Sequence, residues 1–170
     1  MKTFFYALYD RYIQTLNKMQ DLLLLAVRLY WGWQFFQTGK GKLLNIDRTA
    51  AFFADLGLVF PKANAILVGC VEAGCGLLLL LGLGARIFSA PLVATMFVAY
   101  LTAHMDVIRD KGQWIILNNP DAFVSAPPFL FLFASLIVLI FGPGKISLDN
   151  AVTHYFKKAN NTKQEEEKKS

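Results

Sequence analysis

The fold is decided by residues 63–103, which read ANAILVGCVEAGCGLLLLLGLGARIFSAPLVATMFVAYLTA. Two apolar runs, 63–81 and 85–103, flank a tight Gly82-Leu83-Gly84 turn. Each run has about the 20 residues that an α-helix needs to cross roughly 30 Å of hydrocarbon. Because only helices and closed barrels satisfy every backbone polar group in lipid, this stretch predicts two antiparallel membrane-spanning helices.

Two further apolar runs lie on either side, at residues 22–38 and 126–141. Residues that end helices follow both runs: Gly39 comes after the first, and Gly142-Pro143-Gly144 after the last. The 170-residue chain is 55% hydrophobic and 17% charged, against about 25% charged residues in soluble proteins. The sequence therefore predicts an all-α fold, an integral membrane four-helix bundle over residues 21–146.

The basic residues flank these apolar runs and give the chain a formal net charge of +5. This placement indicates contact with membrane lipid and argues against nucleic acid as a partner. Lys and Arg are more frequent in the N-terminal stretch, the 82–86 turn and the C-terminal tail than in the two long loops. Since basic segments favour the inner side, we predict a multi-pass protein of the cytoplasmic (inner) membrane with both termini inside.

Amphipathic helices are predicted on both sides of the first span. Residues 1–20 carry apolar side chains at helical spacing on one face, which is typical of a helix lying in the membrane interface. The alternative is a helix packed on a soluble partner. The first long loop predicts a short surface helix with Asp47 at its N-cap and Gly57 after its end. The apolar face of residues 1–20 consists of Phe4, Phe5, Leu8, Tyr9, Tyr12, Ile13 and Leu16.

The C-terminal part of the chain repeats this pattern. Trp114 and the two isoleucines after it resemble an interfacial anchor in the second long loop. Residues 147–158 predict an amphipathic helix that Ser147 can cap. Residues 159–170 are polar and highly charged, so we predict a disordered tail.

Arg28 in the first span and Glu72 in the second are charges inside apolar runs. A charge at the bilayer centre costs about 2.5–3.5 kcal/mol, so such residues face a bundle interior or water and usually find a partner. Counted from the predicted inner ends of the two spans, their levels differ by roughly 5 Å. We therefore predict a buried polar pair of Arg28 and Glu72, with Gln34 as a further member of the pocket.

Small residues accompany both charges at the spacing i, i+4, i+7, i+11 and let the helices approach closely. The pair can be purely architectural, because a buried ion pair can specify geometry without adding stability. Alternatively, it lines a polar pocket for a quinone head group or a small anion. The two matching stripes are Arg28, Gly32, Phe35 and Gly39 in the first span, and Ala65, Gly69, Glu72 and Gly76 in the second.

A second group of polar and aromatic residues lies near the predicted outer ends of the spans. These residues can form the mouth of an outward-facing pocket, in which His104 would exchange protons. They can equally be an ordinary interfacial belt, and the lysines can be simple boundary residues or can attract an anionic substrate. The predicted mouth consists of Gln37, His104, Asp106, Trp33, Lys40 and Lys42.

Metal chemistry is not predicted. The two cysteines, Cys70 and Cys75, lie about 140° apart around one helix, which excludes a disulfide between them. Two histidines, two cysteines and no clustered carboxylates provide no ligand set for haem, zinc or an iron–sulfur cluster. We therefore expect no intrinsic cofactor, and quinone is the one candidate for a bound one.

Several short motifs, in this order and spacing, resemble those of the DoxX family of small four-helix membrane proteins of bacteria and archaea. The resemblance runs from about residue 22 to 149 and implies a four-helix bundle in the cytoplasmic membrane. The related DoxD type is a membrane subunit of thiosulfate:quinone oxidoreductase. The motifs are Arg28-Gly32-Phe36 with Gly39 and Lys42, Phe53-Ala54-Asp55-Leu56-Gly57-Leu58 with Pro61, Gly69-Glu72-Gly76 with Leu79, Gly82 and Arg86, and Gly142-Pro143-Gly144 with Ser147-Leu148-Asp149.

Three hypotheses for function follow. The first is a redox-associated, quinone-interacting subunit, such as a membrane subunit of an oxidoreductase. This subunit would work with a soluble or membrane partner. The second is a non-enzymatic scaffold or accessory subunit of a larger membrane complex, in which Arg28 and Glu72 are structural. The third is a small-solute or proton transporter, which intramembrane charge permits but which no broken-helix repeat supports.

Overall fold

The computed structural model describes residues 2–110, 113–114, 120–155 and 157, and these are almost entirely helical. The predicted tail at 159–170 and the isoleucines of the predicted anchor lie outside the described residues, as does the side chain of Trp114. The helices are α1 (Lys2–Leu44), α2 (Ile46–Asp55), α3 (Pro61–Leu81), α4 (Ala85–Ala103), α5 (Met105–Ile108), α6 (Pro120–Ser125), α7 (Pro128–Phe141) and α8 (residues 148–155). Two-residue strands, β1 (Arg109–Asp110) and β2 (Gln113–Trp114), pair antiparallel after α5.

The helix α1 differs from the sequence prediction, which placed an interfacial helix at 1–20 and a separate span at 22–38. The structure has one unbroken helix of 43 residues. Its first glycine is Gly32, and it contains no proline, so nothing in the first 30 residues interrupts the backbone hydrogen bonds. The part of α1 before Asp21 extends beyond the other long helices, and Tyr9 and Tyr12 there are exposed.

The closest helix contact joins α1 and α3, which run antiparallel. A Cβ placed on Gly32 would lie 2.7 Å from the backbone nitrogen of Leu80, and one on Gly39 would overlap the backbone of Ala73. A Cβ on Gly76 would lie 2.7 Å from the backbone nitrogen of Phe36. The predicted stripes of small residues therefore form a helix contact that only glycine permits at these positions.

The turn from α3 to α4 depends on two glycines in the left-handed region, Gly82 at φ +70° and Gly84 at φ +57°. It places α4 next to α3, and α4 in turn packs against α7, which also contacts α1. The four long helices therefore enclose a shared core. We call the end of the helices at this turn the turn end and the opposite end the α2 end. The largest buried apolar side chains between the helices are Phe35, Leu79, Leu92, Tyr100 and Val138.

The outer faces of the long helices are apolar as well. Among the described residues, α3 and α4 are each long and apolar enough to cross a membrane, with mean hydropathies of 2.0 and 1.4. Only 28% of either apolar window is buried, so these are not core helices of a water-soluble protein. The helix α7 is more apolar in sequence than α3 and α4 but shorter, at 14 residues. The exposed apolar side chains of these three helices include Leu67, Leu77, Ile87, Phe97, Val98, Phe133 and Ile140.

Candidate functional site

The predicted pair of Arg28 and Glu72 is not formed. A Cβ on Gly39 would lie 2.8 Å from the backbone carbonyl carbon of Glu72, so Glu72 lies at the level of Gly39. Arg28 is eleven residues earlier on the same helix, which at about 1.5 Å per residue separates the two levels by about 16 Å. Neither side chain can cover that distance. Arg28 and Glu72 are both buried, each 1% exposed, but they belong to two different sites.

The error came from the assumed inner end of the first span. The predicted first span begins near residue 22, and the prediction places this residue at the same depth as the end of the second span near residue 81. In the structure, a Cβ on Gly82 would overlap the guanidinium of Arg28. The end of α3 therefore meets α1 at Arg28, about one and a half turns later than assumed.

Arg28 lies at the turn end, where the C-terminal segment folds back onto the helices. Its Nη2 donates a hydrogen bond to the carbonyl oxygen of Ile146, and the negative charge of Asp149 acts on its guanidinium. Asp149 accepts hydrogen bonds from the backbone nitrogens of Gly84 (2.7 Å) and Ala85 (3.2 Å). A carboxylate at this position caps the first turn of α4 and complements its dipole.

A second link joins the same segment to α1. The backbone nitrogen of Lys145 donates to Oδ1 of Asp21 at 3.0 Å, and its Nζ lies 3.6 Å from Oδ2. The backbone nitrogen of Asp149 donates to the carbonyl oxygen of Gly82 at 3.0 Å. Asp21, Arg28 and Asp149 thus form a cluster, which we call the turn-end cluster, that ties α1, the α3–α4 turn and the C-terminal segment together.

Glu72 is paired at the α2 end of the long helices. The Nζ of Lys42 donates to both carboxylate oxygens of Glu72 and forms a salt bridge with it. The Glu72 side chain is 1% exposed, whereas that of Lys42 is 31% exposed. The pair therefore has one buried member and one member that remains open to its surroundings.

This ion pair lies in the wall of a cavity of about 590 Å³ at the α2 end. The cavity lies between α3 and α4 near the α2 end, and α1, α2 and the beginning of α7 contribute further walls. Its lining is largely aliphatic and aromatic, with few polar groups besides the ion pair. The residues that line it are Thr38, Lys42, Phe52, Phe53, Leu56, Leu58, Asn64, Leu67, Val68, Glu72, Ala94, Thr95, Met96, Val98, Ala99, Thr102, Ala103, His104, Pro127, Pro128 and Phe131.

The predicted mouth residues separate into two groups. Lys42 and His104 line the cavity, and His104 ends α4 with its ring 6.2 Å from the ring of Tyr100. The other predicted residues are not part of its lining. Gln34 donates instead to the hydroxyl of Tyr30 at 3.3 Å, within one face of α1. The exposed residues outside the cavity are Trp33, Gln37, Lys40 and Asp106.

Sequence reasoning missed the pairing of Lys42 with Glu72 and the contribution of α2. The glycine stripes carried a signal for the pairing. Matching Gly39 to Gly69 and Gly32 to Gly76 in antiparallel order places Glu72 near residue 36 of α1, within reach of a lysine side chain at 42. Nothing in the sequence indicates that Phe52 and Phe53 of α2, and Leu56 directly after it, face a cavity rather than lipid.

No group of three or more His, Cys, Asp or Glu side chains that could hold a metal ion occurs within the part of the chain that the structure describes. Both cysteines are free, with Cys70 exposed and Cys75 partly buried. The polar chemistry of the cavity therefore rests on Lys42, Glu72, His104 and neighbouring hydroxyl and amide groups.

The apolar and largely exposed helices α3 and α4 indicate the class of the protein, a membrane protein. The model of the DoxX family matches residues 23–105, which cover the second half of α1 and all of α2, α3 and α4. This match confirms the resemblance that the motifs predicted: residues 23–105 of the chain form a DoxX-family region. No solved structure matches the chain.

Three relatives are similar over most of their own length. The uncharacterised membrane protein Rv3486 of Mycobacterium tuberculosis is 29% identical over 131 residues, 76% of this chain and 80% of that protein. CatD of Bacillus subtilis, provisionally named an oxidoreductase, is 29% identical over 68% of this chain and 92% of its own. The inner membrane protein YphA of Escherichia coli is 28% identical over 76% of this chain and 90% of its own.

Proposed function

We propose that α1, α3, α4 and α7 form a four-helix bundle in the cytoplasmic membrane with both termini on the inner side. The apolar outer faces of α3, α4 and α7 support this arrangement. The turn-end cluster supports it too, since Asp21 of α1 and Lys145 after α7 meet at one end of the molecule. An even number of crossings returns the chain to the side from which it started. In this arrangement the turn end lies inside and the α2 end outside.

We propose further that the cavity binds a membrane-soluble quinone and that the protein is the quinone-interacting subunit of a redox system. The observation that carries this proposal is the Lys42–Glu72 ion pair in the wall of an otherwise largely apolar cavity. A volume of about 590 Å³ is within the usual range for small-molecule sites. An ammonium group can donate to a quinone carbonyl oxygen while the apolar walls accept the ring and part of the tail.

The unequal exposure of the ion pair favours a binding role over a purely architectural one. An ion pair that only fixes helix register needs no accessible donor and can be buried completely, at the cost of desolvating both charges, whereas a pair that binds a ligand needs a donor that stays accessible. Here Lys42 is 31% exposed and borders the cavity. One N–H group of its ammonium can therefore donate to a ligand while Glu72 holds the ammonium in place. A protein partner would supply the electrons, since the residues of the cavity carry no redox group of their own.

Quinone binding by the purified protein in nanodiscs tests this proposal. The neutral double variant Lys42→Gln/Glu72→Gln removes both charges without leaving either one unpaired. The matched control is Lys62→Gln/Asp47→Asn, which neutralises an exposed salt bridge of 3.2 Å outside the cavity. We expect the control to bind ubiquinone as the parent does and the cavity variant to bind about tenfold more weakly, a loss of about 1.4 kcal/mol. A parent protein that binds no quinone, or equal binding by both variants, would contradict the proposal.

The second candidate is a non-enzymatic accessory subunit of a membrane complex. The observation that favours it is the free-standing first part of α1, where apolar side chains remain exposed outside the bundle. Three examples are Leu8 at 58%, Tyr9 at 62% and Met19 at 61% exposed. This candidate predicts a stoichiometric complex after mild detergent extraction that is lost when Tyr9 and Tyr12 are both changed to serine. A complex that survives this change, or the absence of any complex, would contradict it.

A further inference from the structure

We infer that the cavity is entered sideways from the lipid, between the outer parts of α3 and α4, by a ligand dissolved in the membrane. The inference rests on the proposed function of the cavity as a ligand site, and it adds the route and the class of ligand. It predicts an amphiphile with a polar head and a long apolar tail, rather than a solute taken from the aqueous side.

The side of the cavity between α3 and α4 opens onto the outer surface of the protein. Leu67 of α3 and Val98 of α4 line the cavity, yet they are 62% and 49% exposed. Ala94 of α4 also lines it and is exposed. These residues belong to the two helices that are long and apolar enough to span a membrane, so the surface on which they lie faces hydrocarbon in the proposed arrangement.

The aqueous end of the cavity is covered by α2. Phe53 of this helix and Leu56, directly after its end, line the cavity and are partly buried, and α2 packs along α3. The α2 helix is joined to α3 by a short connection that contains Gly57 at φ +73° and Phe60 at φ +55°. A water-soluble ligand would have to pass this cover, whereas a ligand in the lipid meets an apolar opening.

The distribution of polar groups indicates how the ligand is oriented. The ion pair lies on the walls that α1 and α3 provide, whereas the edge residues Leu67, Ala94 and Val98 are apolar. A polar head would therefore lie near Lys42, and its tail would leave the cavity between α3 and α4 into the bilayer. A long tail does not need to fit within about 590 Å³, because only the head and the first part of the tail enter.

Blocking the opening with a tryptophan at position 94 tests the route. The control is Ala90→Trp, one turn away on the exposed face of α4 and outside the lining of the cavity. The probes share one benzoquinone head group; one has a long isoprenoid tail and the other has none. We expect Ala94→Trp to weaken binding of the tailed probe in nanodiscs by about tenfold and to leave the tail-free probe within about twofold, while Ala90→Trp changes neither. Unchanged binding of the tailed probe, or an equal loss for both probes, would overturn the inference.

A measurement without any ligand separates the route from the proposed function. Spin labels are attached to Leu67→Cys and Val98→Cys in a Cys70→Ser/Cys75→Ser background, with Arg48→Cys on the exposed surface of α2 as the aqueous reference. We expect the first two labels to be relaxed by lipid-dissolved oxygen more than by a water-soluble nickel chelate, and the reference label to show the reverse. Access of the nickel chelate to positions 67 and 98 would overturn the lateral route even if quinone binds. Failure of the parent to bind either quinone, with lipid-exposed labels, would contradict the proposed function alone.

Discussion

Lys42 and Glu72 are thirty residues apart in the sequence, and their charged groups meet in the wall of the cavity. The two members do not contribute in the same way, because Glu72 is buried on all sides and Lys42 is 31% exposed. If either partner is removed, the other is left with an unpaired charge. A buried carboxylate cannot reach water, whereas the long lysine side chain can turn its ammonium group towards solvent or lipid head groups.

This difference predicts unequal costs for two single substitutions. Lys42→Gln leaves Glu72 buried without a counter-charge and should lower the free energy of unfolding by about 3–5 kcal/mol. Glu72→Gln leaves a lysine that can turn outward and should cost clearly less. Unfolding of the two purified variants by a denaturing detergent, compared with the parent, measures both effects. A larger loss for Glu72→Gln than for Lys42→Gln would show that Lys42, not Glu72, is the sealed member.

Asp149 has a comparable role at the turn end. It accepts two backbone hydrogen bonds at the start of α4 and supplies negative charge to the buried Arg28. Loss of a helix cap alone costs about 1–2 kcal/mol, and the unpaired guanidinium adds to this. We expect Asp149→Ala to destabilise the protein by at least that amount, whereas Asp55→Ala, at an exposed position of α2, should change stability little. Equal thermal stability of the two variants would contradict this role of Asp149.

At the scale of the elements, the contact between α1 and α3 sets the register on which both charged sites depend. Gly76 faces the backbone of α1 at a distance that leaves no room for a methyl group, whereas nothing lies within 4 Å of a Cβ at Gly74. These two glycines are two residues apart on one helix and differ only in the face that they occupy. Substitutions at these two glycines therefore provide a matched test of the register between α1 and α3.

We expect Gly76→Ala to push α1 and α3 apart and to destabilise the protein by about 1–3 kcal/mol, the usual cost of overpacking. Gly74→Ala should be neutral or should stabilise the helix by about 0.5–1 kcal/mol, because alanine loses less backbone freedom than glycine. Thermal unfolding of both variants in the same detergent provides the comparison. If the two alanines have the same effect, α3 does not present Gly76 to α1.

The sequence allowed the elements to be predicted better than their mutual register. The tight turn and the flanking apolar runs indicated α3 and α4, since Gly82 and Gly84 can end and begin helices at positive φ. The same reasoning misplaced α1, because residues 20–22 contain a change in polarity but no residue that breaks a helix. Depth counted from an assumed helix end then brought Arg28 to the wrong level. Periodicity specifies the face of a helix, whereas register depends on contacts between residues distant in sequence.

At the scale of the whole molecule, the two charged sites lie at opposite ends of the long helices. The turn-end cluster joins Asp21 of α1 and the start of α4 to the segment after α7. The cavity lies at the other end, beneath α2. In the proposed function, the contacts at the turn end hold the long helices together while a ligand enters the cavity between α3 and α4 at the α2 end.

This arrangement predicts a definite topology. In the Cys70→Ser/Cys75→Ser background, Arg48→Cys in α2 should react with a membrane-impermeant maleimide added to intact cells, because α2 lies outside in the proposed orientation. Lys18→Cys in the first part of α1 should react only after the membrane is permeabilised. Both positions are exposed, so labelling depends on the side of the membrane on which each residue lies and not on its burial. Labelling of Lys18→Cys in intact cells would place the N-terminus outside.

The most direct test of the account is a pair of double-mutant cycles on stability, Lys42 with Glu72 and Arg28 with Glu72. Groups in contact show coupling of about 0.5–3 kcal/mol, whereas substitutions more than about 10 Å apart usually add within about 0.5 kcal/mol. We expect clear coupling between Lys42→Gln and Glu72→Gln, and additive effects of Arg28→Gln and Glu72→Gln. Additive effects in the first cycle together with coupling in the second would contradict the account and restore a direct pair of Arg28 and Glu72.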